Sequence, residues 1–245
     1  MIRTSLLSLL IFSAVAAGAQ DLKGVLNKVK AKIPGASELS AEETGKALKE
    51  ALQLGAEEAV ASLSKQNGYY ESTYKVLLPE EAQKVVAKLK MVPGFANVEQ
   101  ELVLRLNRAA ESAAAKAKPI LVKAITRLSF QDAAKILMGE KNAATQYLRT
   151  TTSDSLYSEF KPVIGTSLDE VNARQYWRDA VTAYNKIPLV TKVNTELDDH
   201  VTRKALDGLF KLVEAKELKI RTDVSARSSE LLKKVFSRQD KASGN

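Results

Sequence analysis

Residues 40–68, SAEETGKALKEALQLGAEEAVASLSKQNG, decide the fold class. Ser40 and Glu43 stand at the spacing of a capping box, in which the serine hydroxyl takes a first-turn N–H and the glutamate reaches back to the serine N–H. From there Ala47, Leu48, Ala51, Leu52, Ala59, Val60 and Leu63 recur at the three- and four-residue intervals of one helical face. Gly45 and Gly55 are tolerated inside the run, and Asn67 and Gly68 close it, because both residue types accept left-handed backbone. A strand would alternate every second residue, and no such alternation lasts more than a few residues anywhere in the chain. The prediction is an all-α fold: a single multi-helix domain of roughly eight to ten helices, several kinked by proline.

The other segments follow the same grammar. Residues 21–33 place Leu22, Val25, Leu26, Val29 and Ile33 at helical spacing, with Lys23, Lys28, Lys30 and Lys32 off that stripe, and Pro34-Gly35 ends them. Residues 69–78 read as a loop rich in tyrosine (Tyr69, Tyr70, Tyr74). Pro79, Glu80 and Glu81 open a helix that stops before Pro93, and Asn97 with Gln100 caps the next, an alanine-rich run suited to close crossing. Pro119 kinks or restarts that run, and Ser129 with Asp132 begins a helix ending at Gly139. The pattern from Asn142 is helical but polar, and the run Thr150-Thr151-Thr152 predicts a helix end or break. Further helices are expected over 153–164, 172–185, about 195–221 and around 231–236, leaving 238–245 as a flexible tail.

The N-terminus reads as an address. Arg3 precedes an apolar run, Leu6 to Ala17, that closes on Ala17-Gly18-Ala19. A charged start, a short apolar middle and an Ala-x-Ala exit form a secretory signal peptide over residues 1–19, and the run is too short for a bilayer core of ~30 Å. The expected organisation is that leader, a basic amphipathic helix and linker over 20–40, and a helical domain over 41–237. The chain has no cysteine, which excludes disulfides, thiolate metal sites, cysteine nucleophiles and a lipidated cysteine anchor. Of the formal +8 charge, residues 20–32 carry four Lys against Asp21, residues 203–241 carry eleven Lys/Arg against six acids, and the middle is near neutral. Nucleic acid is therefore not an expected partner, while Lys23, Lys28, Lys30 and Lys32 suit peripheral contact with an anionic membrane surface.

Several stretches in order resemble one bacterial family: Leu48-Lys-Glu-Ala-Leu52 through Gly55-Ala-Glu-Glu-Ala-Val60, Leu106-Asn-Arg-Ala-Ala-Glu111, Asp132-Ala-Ala-Lys-Ile-Leu137 with Gly139, Ala143-Ala-Thr-Gln-Tyr147 with Arg149 and Thr152, Leu197-Asp-Asp199, Lys204-Ala-Leu-Asp-Gly-Leu-Phe210 and Leu231-Leu-Lys-Lys-Val-Phe236. Over about residues 45–236 the chain resembles the family catalogued as domain of unknown function 4197. The resemblance implies an exported helical protein of Gram-negative-type bacteria and brings no activity with it. His200 stands where that family's pattern has an aromatic residue, so the resemblance gives the histidine no chemical role.

The candidate ligand site is the polar set Asn107, Arg108, Glu111, Thr145, Tyr147, Arg149 and Thr152, which stands out on helices otherwise built of Ala and Leu. Converging, these residues would hold an anionic head group by bidentate arginine, with hydroxyls completing the shell. Satisfied among themselves, they would instead be a buried network that fixes helix register. Glu196, Asp198, Asp199, His200 and Asp207 lack the second His or Cys of a zinc site and fit the first turn of a helix, where the macrodipole favours acids. Ser62-Leu-Ser-Lys65 matches Ser-x-x-Lys without its partner motifs, and no phosphate loop or dinucleotide fingerprint occurs. No catalytic residue, metal ligand or cofactor is assigned. The expectation is an exported, non-enzymatic helical protein, periplasmic or extracellular, that binds an amphiphilic or anionic small molecule between helices. The alternatives are a structural or protein-interaction component of the cell envelope with no ligand pocket and, remotely, a hydrolase.

Overall fold

A computed structural model describes residues 40–242, apart from residues 92, 171 and 193–196. The expected leader, the basic stretch with Lys23, Lys28, Lys30 and Lys32, and Glu196 lie outside the described residues. Among those described, nine α-helices and one 3-10 turn are present and no strand: α1 (Ala41–Leu63), α2 (Glu80–Leu89), α3 (Val98–Ala114), α4 (Ala117–Arg127), α5 (Phe130–Met138), α6 (Ala143–Glu170), α7 (Ala173–Asn185), α8 (Asp198–Thr222) and α9 (Glu230–Ala242).

The local signals act as the residue types dictate. Glu43 N donates to Ser40 Oγ (3.0 Å) and Ser40 N to Glu43 Oε2 (2.9 Å), the reciprocal pair of a capping box. The helical face predicted for α1 is buried from Ala47 to Leu63. Ser129 caps α5 by accepting from Asp132 N (3.1 Å). Asn97 precedes α3 but makes no side-chain cap, because its backbone is not in the extended conformation that aims a capping side chain. α4 starts two residues before Pro119, so the proline restarts the helix. The last helix continues past Ser237 to Ala242, where Arg, Gln, Lys and Ala are good helix formers.

α6 departs most from the sequence expectation. No break occurs at Thr150-Thr151-Thr152, and the helix runs unbroken for 28 residues. Thr151 Oγ1 donates to Tyr147 O (2.8 Å), Thr152 Oγ1 to Leu148 O (2.6 Å) and Ser153 Oγ to Arg149 O (2.6 Å). Each hydroxyl thus bonds back to the carbonyl four residues earlier, which lets polar residues stay helical instead of competing with the backbone. Pro162 also lies within the helix, on its exposed side.

The buried residues of α6 explain its place. Ala144, Leu148, Thr152, Leu156, Phe160, Ile164 and Leu168 recur every fourth residue, and all are buried. At about 100° per residue, each step of four advances the stripe by roughly 40°, so the stripe winds around the helix. A winding stripe needs several partners. α6 packs against α8 and α3 above all, and also against α4, α7 and α5. α1 closes another side of the core, against α4, α5, α8 and α9, while α2 packs on α7 and α3.

Replacing exposed Thr150 by proline would remove an interior helical hydrogen bond and clash with the preceding turn. Thr150→Pro is expected to lose about 3 kcal/mol or more in urea unfolding, whereas Thr150→Ala changes stability by about 0.5 kcal/mol or less. Equal stability of the two variants would contradict a continuous α6.

Candidate functional site

The structure brings part of the predicted polar set together around the tyrosine loop. Asn107 is fully buried; its Nδ2 donates to Val76 O (2.8 Å) and Val103 O (2.7 Å), and its Oδ1 accepts from Val76 N (2.8 Å). One α3 side chain thereby replaces the strand partner that Val76 lacks. Glu111, also buried, accepts from Tyr69 N and Tyr70 N (3.2 Å each) through Oε1 and from Arg108 (2.6 Å) through Oε2. Arg108 donates onward to Asn67 Oδ1 (2.6 Å). Asn67 itself holds a left-handed φ of 68°, which turns the chain out of α1.

From the other side Tyr69, fully buried, donates its phenol to Ala205 O of α8 (2.7 Å), and His200 bonds Leu77 O (2.8 Å). Gly208 makes room for this approach, since a Cβ there would lie 3.0 Å from the Tyr69 ring and 3.2 Å from Tyr74 Cβ. Burial, and after it the Glu111 carboxylate, pushes the Tyr69 phenol pKa well above its ordinary value. The polar groups of α3 are therefore consumed in holding residues 67–78 against α3 and α8.

Thr145 belongs to a different place, and its partners are residues that sequence reasoning missed. Buried Glu217 accepts from Ala144 N (3.1 Å), Thr145 N (2.8 Å) and Thr145 Oγ1 (2.7 Å). The remaining first-turn amides of α6 are also satisfied: Ala143 N donates to Glu140 O (3.0 Å) and Gln146 N to Asn142 O (2.9 Å). A carboxylate on α8 thus caps the positive end of α6. Arg221, one turn on and equally buried, donates to Glu217 (3.0 Å), Leu137 O (3.1 Å) and Ile136 O (3.0 Å), covering the negative end of α5. Arg227 does the same for α8, donating to Ile220 O and Arg221 O (3.0 Å each). Three buried charges each sit on a helix end of opposite sign.

Thr152 bonds only back along its own helix, and Tyr147 packs, half-buried, against the core. Arg149 is exposed, 3.6 Å from Asp207 and 4.7 Å from the Phe210 ring centre. By the helical turn, Asp207 and Phe210 lie roughly 140–200° around α8 from Ala205, where Tyr69 is bonded. Arg108 and Arg149 therefore face different neighbours, and the seven residues form no common head-group site. Among the described residues no group of three His, Cys, Asp or Glu side chains could hold a metal ion, and no helix is long and apolar enough to cross a membrane.

A recess of about 630 Å³, open to solvent, lies along the C-terminal half of α6, lined by Tyr157, Ser158, Lys161, Gly165, Thr166 and Asp169 together with Arg174 and Asp198. Arg174 pairs with Asp198 through two nitrogens and with Asp169 (2.8 Å). Its guanidinium lies across Gly165, where a Cβ would come within 2.6 Å. Tyr157 donates to Asp199 (2.5 Å), and its ring stands between Lys161 (5.7 Å) and Arg203 (5.2 Å). The hydrogen bonds from Arg203 and then Tyr157 hold the Asp199 carboxyl below the usual range. The recess is a surface feature whose charges are largely matched.

A family model described as "Protein of unknown function (DUF4197)" matches residues 38–237. No curated protein and no solved structure matches the chain.

Removing Glu217 leaves Arg221 buried without its carboxylate and two first-turn amides bare. Glu217→Ala is expected to cost about 3–5 kcal/mol in urea unfolding, with a coupling of about 0.5–3 kcal/mol to Arg221→Met in a double-mutant cycle. Zero coupling would contradict the described junction. For Tyr69 the folded-state pKa is the higher one, so its contribution is complete below the ordinary tyrosine value of about 10 and is lost as pH rises above it. Stability of the parent should therefore fall more steeply above about pH 10 than that of Tyr69→Phe, which is weaker at neutral pH because it lacks the bond to Ala205. Parallel pH curves would remove Tyr69 from this role.

Proposed function

The chain belongs to the DUF4197 family of proteins of unknown function, and from the geometry above we propose that it is an exported, non-enzymatic structural or interaction component of the bacterial cell envelope. It acts through its outer surface rather than through a ligand pocket between helices. The observation that carries this reading is the internal engagement of the polar set: Asn107, Arg108, Glu111 and Thr145 are bonded to the protein's own backbone and side chains. A head-group site needs such donors unsatisfied and converging on a cavity. The open recess at α6 gives a ligand little, because its guanidinium is already held by Asp198 and Asp169. Export rests on the charged, apolar and small-residue pattern of residues 1–19.

Native mass spectrometry of the protein isolated from its own cell envelope tests both halves of the proposal. The expected mass is that of residues 20–245 with no stoichiometric small molecule attached. A bound amphiphile at one per chain would contradict the pocket-free reading, and retention of Met1–Ala19 would contradict export.

A further inference from the structure

Between Glu111 and Asp132 the chain carries no acidic residue, while it carries Lys116, Lys118, Lys123 and Arg127. These twenty residues form the end of α3, the whole of α4 and the turn into α5. α4 buries Ala117, Leu121 and Ile125 and leaves Lys116, Lys123 and Arg127 exposed. Steps of seven and four residues keep these three within about 40° of one another around the axis, in a strip roughly 16 Å long. None of the three has an acidic partner among the described residues, whereas Lys118 is paired with Glu57 of α1 (3.4 Å).

The neighbouring ridge of α1 extends the same face. Lys49 donates to Thr126 O (2.9 Å) and lies 5.5 Å from the ring centre of Phe130. Phe130, the first residue of α5, is 44% exposed and rests on Gly45, where a Cβ would strike its ring at 2.3 Å. A glycine in the second turn of α1 thus seats an aromatic ring at the surface beside the basic strip.

We propose that this face, Lys116, Lys123, Arg127 and Lys49 with Phe130 at its end, docks on the surface of an anionic phospholipid bilayer. Charge complementarity selects an anionic partner, since the strip contributes cations with no carboxylate among them to offset or repel. The exposed Phe130 ring favours lipid over a hydrated polyanion, because an apolar side chain gains from burial at the boundary between headgroups and acyl chains. Each basic residue near such a surface contributes roughly five-fold in binding, so the three unpaired groups together contribute on the order of a hundred-fold. The proposal deepens the envelope reading above. Vesicle binding tests the face alone, and the mass of envelope-derived protein tests that reading separately.

The experiment is cosedimentation of the leader-free chain, residues 20–245, with phosphatidylcholine vesicles and with vesicles containing about one quarter phosphatidylglycerol. The expected result is binding to the anionic vesicles only, weakened on the order of a hundred-fold by Lys116→Gln/Lys123→Gln/Arg127→Gln and retained by Lys116→Arg/Lys123→Arg. The three side chains make no ion pair among the described residues, so thermal unfolding of both variants should match the parent and show that the fold is intact. Three results would overturn the proposal. They are no binding of the parent to anionic vesicles, equal binding by the triple-Gln variant, as the basic residues Lys23 to Lys32 alone would give, and binding to a soluble polyanion such as polyglutamate without binding to vesicles.

Discussion

The structure turns on one buried arrangement, in which charges on α8 serve the ends of other helices. Glu217 supplies a carboxylate to the bare amides of α6, and Arg221 supplies donors to the last carbonyls of α5. Burying an ion is costly, and the cost is offset only when its remaining hydrogen-bonding capacity is filled. Here the filling groups are those that helix ends leave unsatisfied, so two deficits cancel. The four-residue link from Gly139 to Asn142 joins these two helix ends, and the Glu217–Arg221 pair spans it. The pair thereby sets where α6 begins, and the start of α6 sets the phase of its winding stripe against α3, α4, α7 and α8.

A second constraint is built in the same way on the other side of α8. Residues 67–78 form no regular structure, so their backbone groups need partners from elsewhere. Asn107 and Glu111 supply them from α3, while Tyr69 and His200 tie the segment to α8 and back. The polar side chains that looked like a ligand site are the means by which an irregular segment enters a helical core. In the proposed reading, recognition falls to the outside of the molecule.

Much of this was legible in the residues. The capping box at Ser40, the buried face of α1, the restart at Pro119 and the cap at Ser129 rest on local spacing and agree with the structure. Thr150-Thr151-Thr152 misled because propensity counts a threonine as a weak helix former, while its hydroxyl can return to the carbonyl four residues back. Arg108 and Arg149 looked alike because a helical pattern tells which face a residue occupies and not which helix lies opposite. Glu217 and Arg221 carried a usable signal: they follow Leu209 and Val213 at inward-facing steps, and a charge in the phase of a buried stripe announces an internal partner. The partners themselves, Ala144 N and Leu137 O, lie over seventy residues away, and nothing local names them.

Closure of the first turn of α6 by the Glu217 carboxylate can be read from amide hydrogen exchange at Ala144 and Thr145. First-turn amides of a helix ordinarily exchange quickly, because they have no intrahelical carbonyl four residues earlier to bond to. With the carboxylate in place these two amides are expected to exchange only through global unfolding, with protection equal to that of Leu148 and Leu156 in the same helix. Exchange at the rate of a frayed helix end, with Leu148 still protected, would contradict it.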